Sequence, residues 1–146
     1  FLPSEVTAAF LWAQVENIQT IQNKRKQLWE YYYQKMSTIA SDLDIQLPLV
    51  PEYATNNAHM FFINFDSLEQ RSKAIKKLKE KDILAVFHYS TLHDSPYFSD
   101  KYAGPDLPNA RKFSEQLIRL PLFDSLTDEE FDKVCGAVEA WVSQQG

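Results

Sequence analysis

The sequence predicts an α/β domain, α+β in its two-layer sense, with one small sheet covered by helices. Three observations carry that prediction. Apolar side chains recur at steps of three and four through the first forty residues. Three short runs of β-branched and aromatic residues follow, separated by helical patterns. Two helix starts are written as capping boxes, Ser67 with Gln70 and Thr127 with Glu130. At 146 residues the chain has room for one core and not two. Residues 1–146 therefore read as one domain, a long helical segment over 1–43 and an α/β body over 44–146.

The first element is the longest. Leu11, Val15, Ile18, Ile21, Arg25, Leu28, Tyr32, Met36, Ile39 and Leu43 trace one helical face. Pro3 and Ser4 open it, and Glu5 puts an acid in the first turn, where the helix dipole favours one. Asn17 and Asn23 are weak helix formers and candidate kinks. A continuous helix from Ser4 to Ser41 would run about 57 Å at 1.5 Å per residue. A compact domain of this size has a radius of gyration of about 15 Å. The helix therefore breaks, or it projects past the domain and lies against something else. Phe10, Trp12, Trp29, Tyr31 and Tyr33 place large aromatics off the first stripe. Either the helix is buried on most sides in its own domain, or this second face docks on a further domain or subunit. Its length favours docking.

Ile45 to Leu47 is a short strand candidate, stopped by Pro48 and Pro51. Residues 52–58 read as loop, and His59 to Phe65 as a strand. The Ser67 box starts a helix to about Lys81 with Leu68, Ile75 and Leu78 inward. Arg71, Lys73, Lys76, Lys77, Lys79 and Lys81 occupy its other faces, and a solvated surface explains them better than a phosphate partner. Ile83 to Tyr89 is the next strand. Residues 94–108, rich in proline and turn formers, make a surface excursion. Asn109 to Ile118 reads as a short helix and Arg119 to Phe123 as an extended segment. The Thr127 box opens a terminal helix with Phe131, Val134, Val138 and Trp141 on one face.

Composition removes several function classes. A formal charge of -5 argues against nucleic acid as a partner, because phosphate binding needs a surplus of cations. No apolar run reaches the ~20 residues that cross a bilayer, and no signal-peptide pattern opens the chain. Cys135 is the only cysteine, so a disulfide framework and a cysteine metal cage are both excluded. Only Gly104, Gly136 and Gly146 are available, too few for a glycine-rich phosphate loop or a nucleophile elbow. A cytoplasmic, reduced protein is expected. The first residue is Phe1, which suggests a processed product or a piece of something longer.

The three histidines are His59, His88 and His93. A zinc reading would join His88, His93 and Asp94, with His59 from the neighbouring strand, but the spacing is loose and nonspecific. No metal is expected. Cys135 sits on an amphipathic helix, where an inert buried thiol is the default. His88, Tyr89 and His93 occupy the end of a strand and its following loop, a usual place for ligand contacts. Both imidazole and phenol can hydrogen-bond a hydroxylated or phosphorylated ligand. The plainer alternative packs Tyr89 in the core and leaves both histidines in solvent.

A family resemblance enters at these residues. Phe1-Leu-Pro-Ser-Glu5 leads into Ala8-Ala-Phe-Leu-Trp-Ala-Gln14. Asn57-Ala-His-Met-Phe-Phe-Ile63 follows, and then Ala85-Val-Phe-His-Tyr89 with Leu92-His93. Ser114-Glu115 runs through Arg119-Leu-Pro-Leu-Phe123 to Thr127-Asp-Glu-Glu130. In this order the set resembles the C-terminal small domain of sugar-nucleotide (DegT/StrS-type) aminotransferases, pyridoxal-phosphate enzymes of the aspartate-aminotransferase fold type. It spans nearly the whole chain.

The resemblance implies a larger enzyme, with the long helix linking this domain to a large cofactor domain upstream of Phe1. It implies pyridoxal 5'-phosphate in the full-length enzyme, a nucleotide-sugar substrate, glutamate as amino donor and a homodimer. It places the Schiff-base lysine in the large domain, so no catalytic residue is expected here and the chain alone is expected to be inactive. Many members carry Asn-Tyr-Arg-Met ahead of the helix. Here the sequence reads Phe1-Leu2-Pro3, and no cofactor-binding residue is expected. The segment with His88, Tyr89 and His93 would border the substrate cleft, and Asn57 and His59 follow by the same logic. Arg119 would face the cleft or pair with an acid on the last helix. Two other readings compete: a free-standing α/β binding or regulatory module, and a small metal-dependent hydrolase built on His88, His93 and Asp94.

Overall fold

The structure, a computed structural model, describes residues 2–40 and 45–144. Phe1, Leu43 (the last residue of the helical stripe) and the expected boundary at 43/44 lie outside the described residues.

The long helix is interrupted once. Helix α1 spans Glu5–Glu16 and α2 spans Ile18–Ala40. Ser4 caps the start by accepting from the Thr7 amide at 3.2 Å. Asn17 leaves helical geometry at φ -102° and ψ 7°, and its side-chain amide bonds back to the Ala13 carbonyl at 3.0 Å. That local bond competes with the helical ladder, which is why asparagine breaks it here. The helix also projects. No residue of α1 is buried, and Phe10, Leu11 and Trp12 are 72%, 61% and 66% exposed. The stripe drawn from the sequence therefore splits in two. Its second half, Leu28, Tyr32, Met36 and Ile39, is core, whereas Leu11, Val15 and Ile18 face outward.

The sheet has three strands, β1 (Phe61–Asn64), β2 (Val86–Phe87) and β3 (Leu117–Leu120), in the order β1-β3-β2. Both outer strands run antiparallel to β3. They are therefore parallel to each other, joined by helix α3 (Leu68–Lys79), with the later strand inserted between them. Helix α4 (Pro108–Gln116) runs straight into β3, and α5 (Asp128–Val142) closes the chain.

One sheet face is the core. Phe61, Ile63, Ile118 and Leu120 are at most 4% exposed. Tyr32 of α2 stacks on Phe61 at 5.0 Å and packs on Phe131 of α5 at 4.6 Å. Its hydroxyl donates to the Pro121 carbonyl at 2.8 Å, and Trp29 Nε1 donates to the Met60 carbonyl at 3.1 Å. Burial raises the pKa of the Tyr32 phenol. The Thr127–Glu130 capping box forms in full and seats α5, which buries Phe131, Val134, Val138 and Trp141 together with Cys135. The Cys135 thiol is pushed up to about 12, first by burial and then by Asp132.

Several element bounds differ from the sequence reading. The Ile45–Leu47 strand is reduced to one bridge, Gln46 to Asn64. Helix α4 ends at Gln116, and β3 takes Leu117 and Ile118, which the helical reading had absorbed. Proline at 121 has no amide to give the ladder, so the strand ends ahead of it. Leu68 is 47% exposed; Ala74 and Leu78 carry the inward face of α3, with Ile75 partly buried. Five of the six cations on or just after α3 are exposed, and the sixth, Arg71, is half-buried. Arg71 Nε donates to the Glu115 carbonyl at 2.9 Å, and its guanidinium lies over the Phe87 ring at 5.1 Å.

Candidate functional site

The loop that leaves β2 carries the principal candidates. His88 is half-buried, and its Nδ1 is sealed from solvent with no hydrogen-bond partner. Its ring meets that of Tyr89 edge-on at 5.2 Å. Tyr89 is 81% exposed, so it does not pack in the core. His93 behaves differently: its side chain is 9% exposed and tilts against the Tyr102 ring at 5.3 Å.

A charged staple fixes that loop. Asp94 accepts from Arg111 at 3.2 Å and 3.1 Å, and also from the Thr91 hydroxyl. Arg111 reaches Asp106 as well, at 3.1 Å. One α4 side chain thus ties down both ends of the 94–106 excursion, with a fork suited to carboxylates. Arg111 and Thr91 hold the Asp94 carboxyl down at about 2. His93 Nε2 lies 3.3 Å from Asp94 Oδ2 but is not aligned for a hydrogen bond. A metal reading through His88, His93 and Asp94 meets this geometry badly, because the arginine and threonine already occupy the carboxylate. Among the described residues no group of His, Cys, Asp or Glu gathers as a metal cage.

Asn57 and His59 stand elsewhere. Asn56 Oδ1 accepts from the Ala58 amide at 2.8 Å, and Asn57 Oδ1 from the His59 amide at 3.0 Å. These bonds form a turn in which Ala58 is fully buried at a left-handed φ of 50°, a conformation that costs a non-glycine residue about 1–2 kcal/mol. Arg25 of α2 holds the turn. Its Nε donates to the Ala58 carbonyl at 3.1 Å, its Nη2 to that of His59, and its Nη1 to that of Leu122 at 3.3 Å.

The sheet register separates the two groups. His59 precedes β1, while His88 follows β2, which runs parallel to β1 on the far side of β3. Two strand spacings across and about five residues along put their backbones about 20 Å apart. The structure therefore sets His88 against Tyr89, packs His93 of the same loop on Tyr102, and leaves Asn57 and His59 apart from them. Near His59 lies a cavity of about 200 Å³, lined also by Met60, Leu84, Val86 and Arg119. Among the described residues Arg119 pairs with no acid, on the last helix or elsewhere. Sequence reasoning missed the roles of Arg25 and Arg111. Arg25 alone carried a signal, as a lone cation in an otherwise apolar stripe.

The lysines lie mostly at the surface. Every one is exposed except Lys24 on α2, which is half-buried. No helix among the described residues is long and apolar enough to cross a membrane.

Comparisons with known proteins agree with this architecture. The model of the DegT/DnrJ/EryC1/StrS aminotransferase family matches residues 4–139. Among solved structures, DesV of S. venezuelae is 25% identical with a TM-score of 0.82, over 92% of this chain and 35% of its own. NtdA of Bacillus subtilis, solved with bound cofactor PMP, is 28% identical with a TM-score of 0.74, over 86% of this chain and 29% of its own. PseC of Helicobacter pylori, an aminotransferase of pseudoaminic acid biosynthesis, shares the fold at 19% identity. Its TM-score is 0.83, over 99% of this chain and 38% of its own. The chain thus spans about a third of the length of the solved structures it matches.

Proposed function

The chain belongs to the DegT/DnrJ/EryC1/StrS aminotransferase family, and on that footing we propose that it is the smaller, substrate-side domain of a pyridoxal-5'-phosphate-dependent sugar aminotransferase. The observation that carries the reading is α1, a twelve-residue helix that buries none of its own residues and presents Val6, Phe10, Leu11, Trp12 and Val15 outward. Such a surface fits a partner of domain size, and the solved relatives are about three times as long as the match. We take that partner to be the large cofactor domain of the same polypeptide. When bound there, the cofactor supplies an electron sink and carries the amino group between donor and acceptor.

On this reading the residues described here bind and orient. His88, Tyr89 and His93 present imidazole and phenol groups to the sugar, in a loop held by Asp94 and Arg111. A ligand that touches Asn57 and His59 as well must be elongated, as a nucleotide-linked sugar is. The motif set resembles dTDP-4-amino-4,6-dideoxygalactose transaminase. The acceptor is accordingly a nucleotide-linked 4-keto-6-deoxy sugar for cell-surface polysaccharide such as lipopolysaccharide or common antigen, glutamate the donor, the full enzyme a cytoplasmic homodimer, and this chain alone inactive.

A second reading, a free-standing binding or regulatory module, draws on the closed core shared by α2, α3, α5 and the sheet. One experiment separates them. The longest natural polypeptide containing this chain is purified with pyridoxal phosphate and assayed for amination of a nucleotide-linked 4-keto-6-deoxy sugar by glutamate. A cofactor chromophore, turnover, and a raised KM on Tyr89→Phe are expected. A protein that forms no chromophore refutes the proposal and leaves the binding module.

A further inference from the structure

We propose that the groove between α2 and α5 binds a free basic amino acid, a ligand with one carboxylate and two cations. Its volume is about 600 Å³, within the range of small-ligand sites. Each helix contributes one face. Tyr31, Gln34 and Lys35 come from α2, and Asp128, Phe131 and Asp132 from α5. Both sets follow the three- and four-residue steps that bring side chains together on one side of a helix. Phe131 is buried and closes the floor, and the exposed Tyr31 ring tilts against it at 6.1 Å. Helices α2 and α5 meet the sheet through Tyr32, which packs on both Phe61 and Phe131. The groove therefore opens on the outer side of the helical layer, and no residue of the His88 loop or the His59 turn lines it.

The charges select the ligand. The α2 wall carries one cation, Lys35, and the α5 wall carries two carboxylates, Asp128 and Asp132. Among the described residues none of the three makes an ion pair, with each other or elsewhere. Opposite charges that line one cavity without meeting leave room for a ligand that meets both. The helix dipole accounts for an acid at Asp128, in the first turn of α5. Asp132, one turn further on, has no such reason to be acidic.

A basic amino acid supplies the complement group for group. Its carboxylate pairs with Lys35, and its α-ammonium and side-chain cation pair with the two aspartates. The side-chain cation also meets the face of the Tyr31 ring, while its methylenes cover Phe131. A neutral amino acid leaves one aspartate unpaired, and a diamine turns a like charge toward Lys35. Arginine suits the groove better than lysine, because a planar guanidinium both forks onto a carboxylate and stacks on tyrosine. The site requires no transamination chemistry, and its test reads no turnover.

The test is isothermal titration calorimetry on the longest natural polypeptide containing this chain, at fixed ionic strength. L-Arginine is titrated in one arm, agmatine (which lacks the carboxylate) in a second, and Nα-acetyl-L-arginine, a mimic of a peptide C-terminus, in a third. L-Arginine should give a saturable event, weakened about threefold to fivefold by Asp132→Asn and by Lys35→Gln. Agmatine and the acetylated arginine should each bind the parent more weakly by a similar factor. On Lys35→Gln, arginine and agmatine should bind alike, since removing either partner of one contact removes the same interaction. Lys35 and Asp132 are exposed, so neither substitution disturbs the core, and both separate the groove from any amino acid held in the cleft. The proposal is overturned if L-arginine gives no event, if agmatine or the acetylated arginine matches it on the parent, or if Asp132→Asn and Lys35→Gln titrate like the parent.

Discussion

Replacing Arg25 with methionine keeps the aliphatic stem against the core and removes the three hydrogen bonds that hold the 58–59 turn and the Leu122 carbonyl. Bonds from a charged donor run about 1.5–3 kcal/mol when fully buried. Arg25 is half-buried, and one of its bonds is long at 3.3 Å. Water therefore takes over part of each, leaving about 1 kcal/mol per bond and about 3 kcal/mol in all. In a domain of this size that corresponds to a fall of about 6–12 °C in Tm. The control is Lys26→Met, an exposed neighbour on the same helix, expected within about 0.5 kcal/mol of the parent. Urea and thermal unfolding of both variants measure the difference. If Arg25→Met unfolds within about 0.5 kcal/mol of Lys26→Met, the clamp contributes nothing and the account of the His59 turn fails.

Two further outcomes follow from the same reasoning. Asp94 is held at about 2 by Arg111 and Thr91, whereas an unfolded aspartate titrates near about 3.9. The folded value is the lower one, so its contribution to stability is complete above about pH 4 and is lost as pH falls through about 2. A carboxyl NMR titration of Asp94 should show this midpoint, and Arg111→Gln should return it toward about 3.9; a midpoint still near 2 in that variant contradicts the assignment. Trp12→Gln on α1 should change the stability of residues 1–146 by less than about 0.5 kcal/mol, whereas Trp29→Ala, 7% exposed on α2, should cost about 3–5 kcal/mol. Equal urea midpoints for the two tryptophan variants would contradict the division of the long helix into free and packed halves.

The order of elements was legible because periodicity and capping are local. Thr127 and Glu130 announced α5 to the residue, since a capping box is complete within four positions. Strand limits were less legible. Leu117 and Ile118 continue the pattern of α4, and only their pairing with Asn64 and Ile63 makes them strand. The Ile83–Tyr89 run is strand-like throughout, yet only Val86 and Phe87 pair with β3, and nothing local in the run marks those two. Of the candidate site, the loop bearing His88, Tyr89 and His93 was placed by its position after a strand. The distance from there to Asn57 and His59 was not, because it depends on β3 entering between two strands that adjoin in sequence. The Arg111–Asp94 and Arg25–Leu122 bonds span 17 and 97 positions, and no local pattern encodes contacts of that kind.

That insertion of β3 also dictates when the sheet can exist. Until Leu117–Leu120 leave the ribosome, β1 and β2 have been made but, the single Gln46–Asn64 bridge aside, neither has a strand to bond, and the helix between them has no sheet to cover. Assembly must wait for the central strand and then close loops of more than fifty residues on one side and about thirty on the other, the kind of non-local step that slows folding. A chain that stops short of Leu117 would carry most of the core's side chains and no sheet to organise them, with β1 and β2 exposed as unpaired strands. The central strand is thus the last part of the sheet to arrive, and chaperone dependence during synthesis should persist until α5, which follows it, has emerged to cover the core.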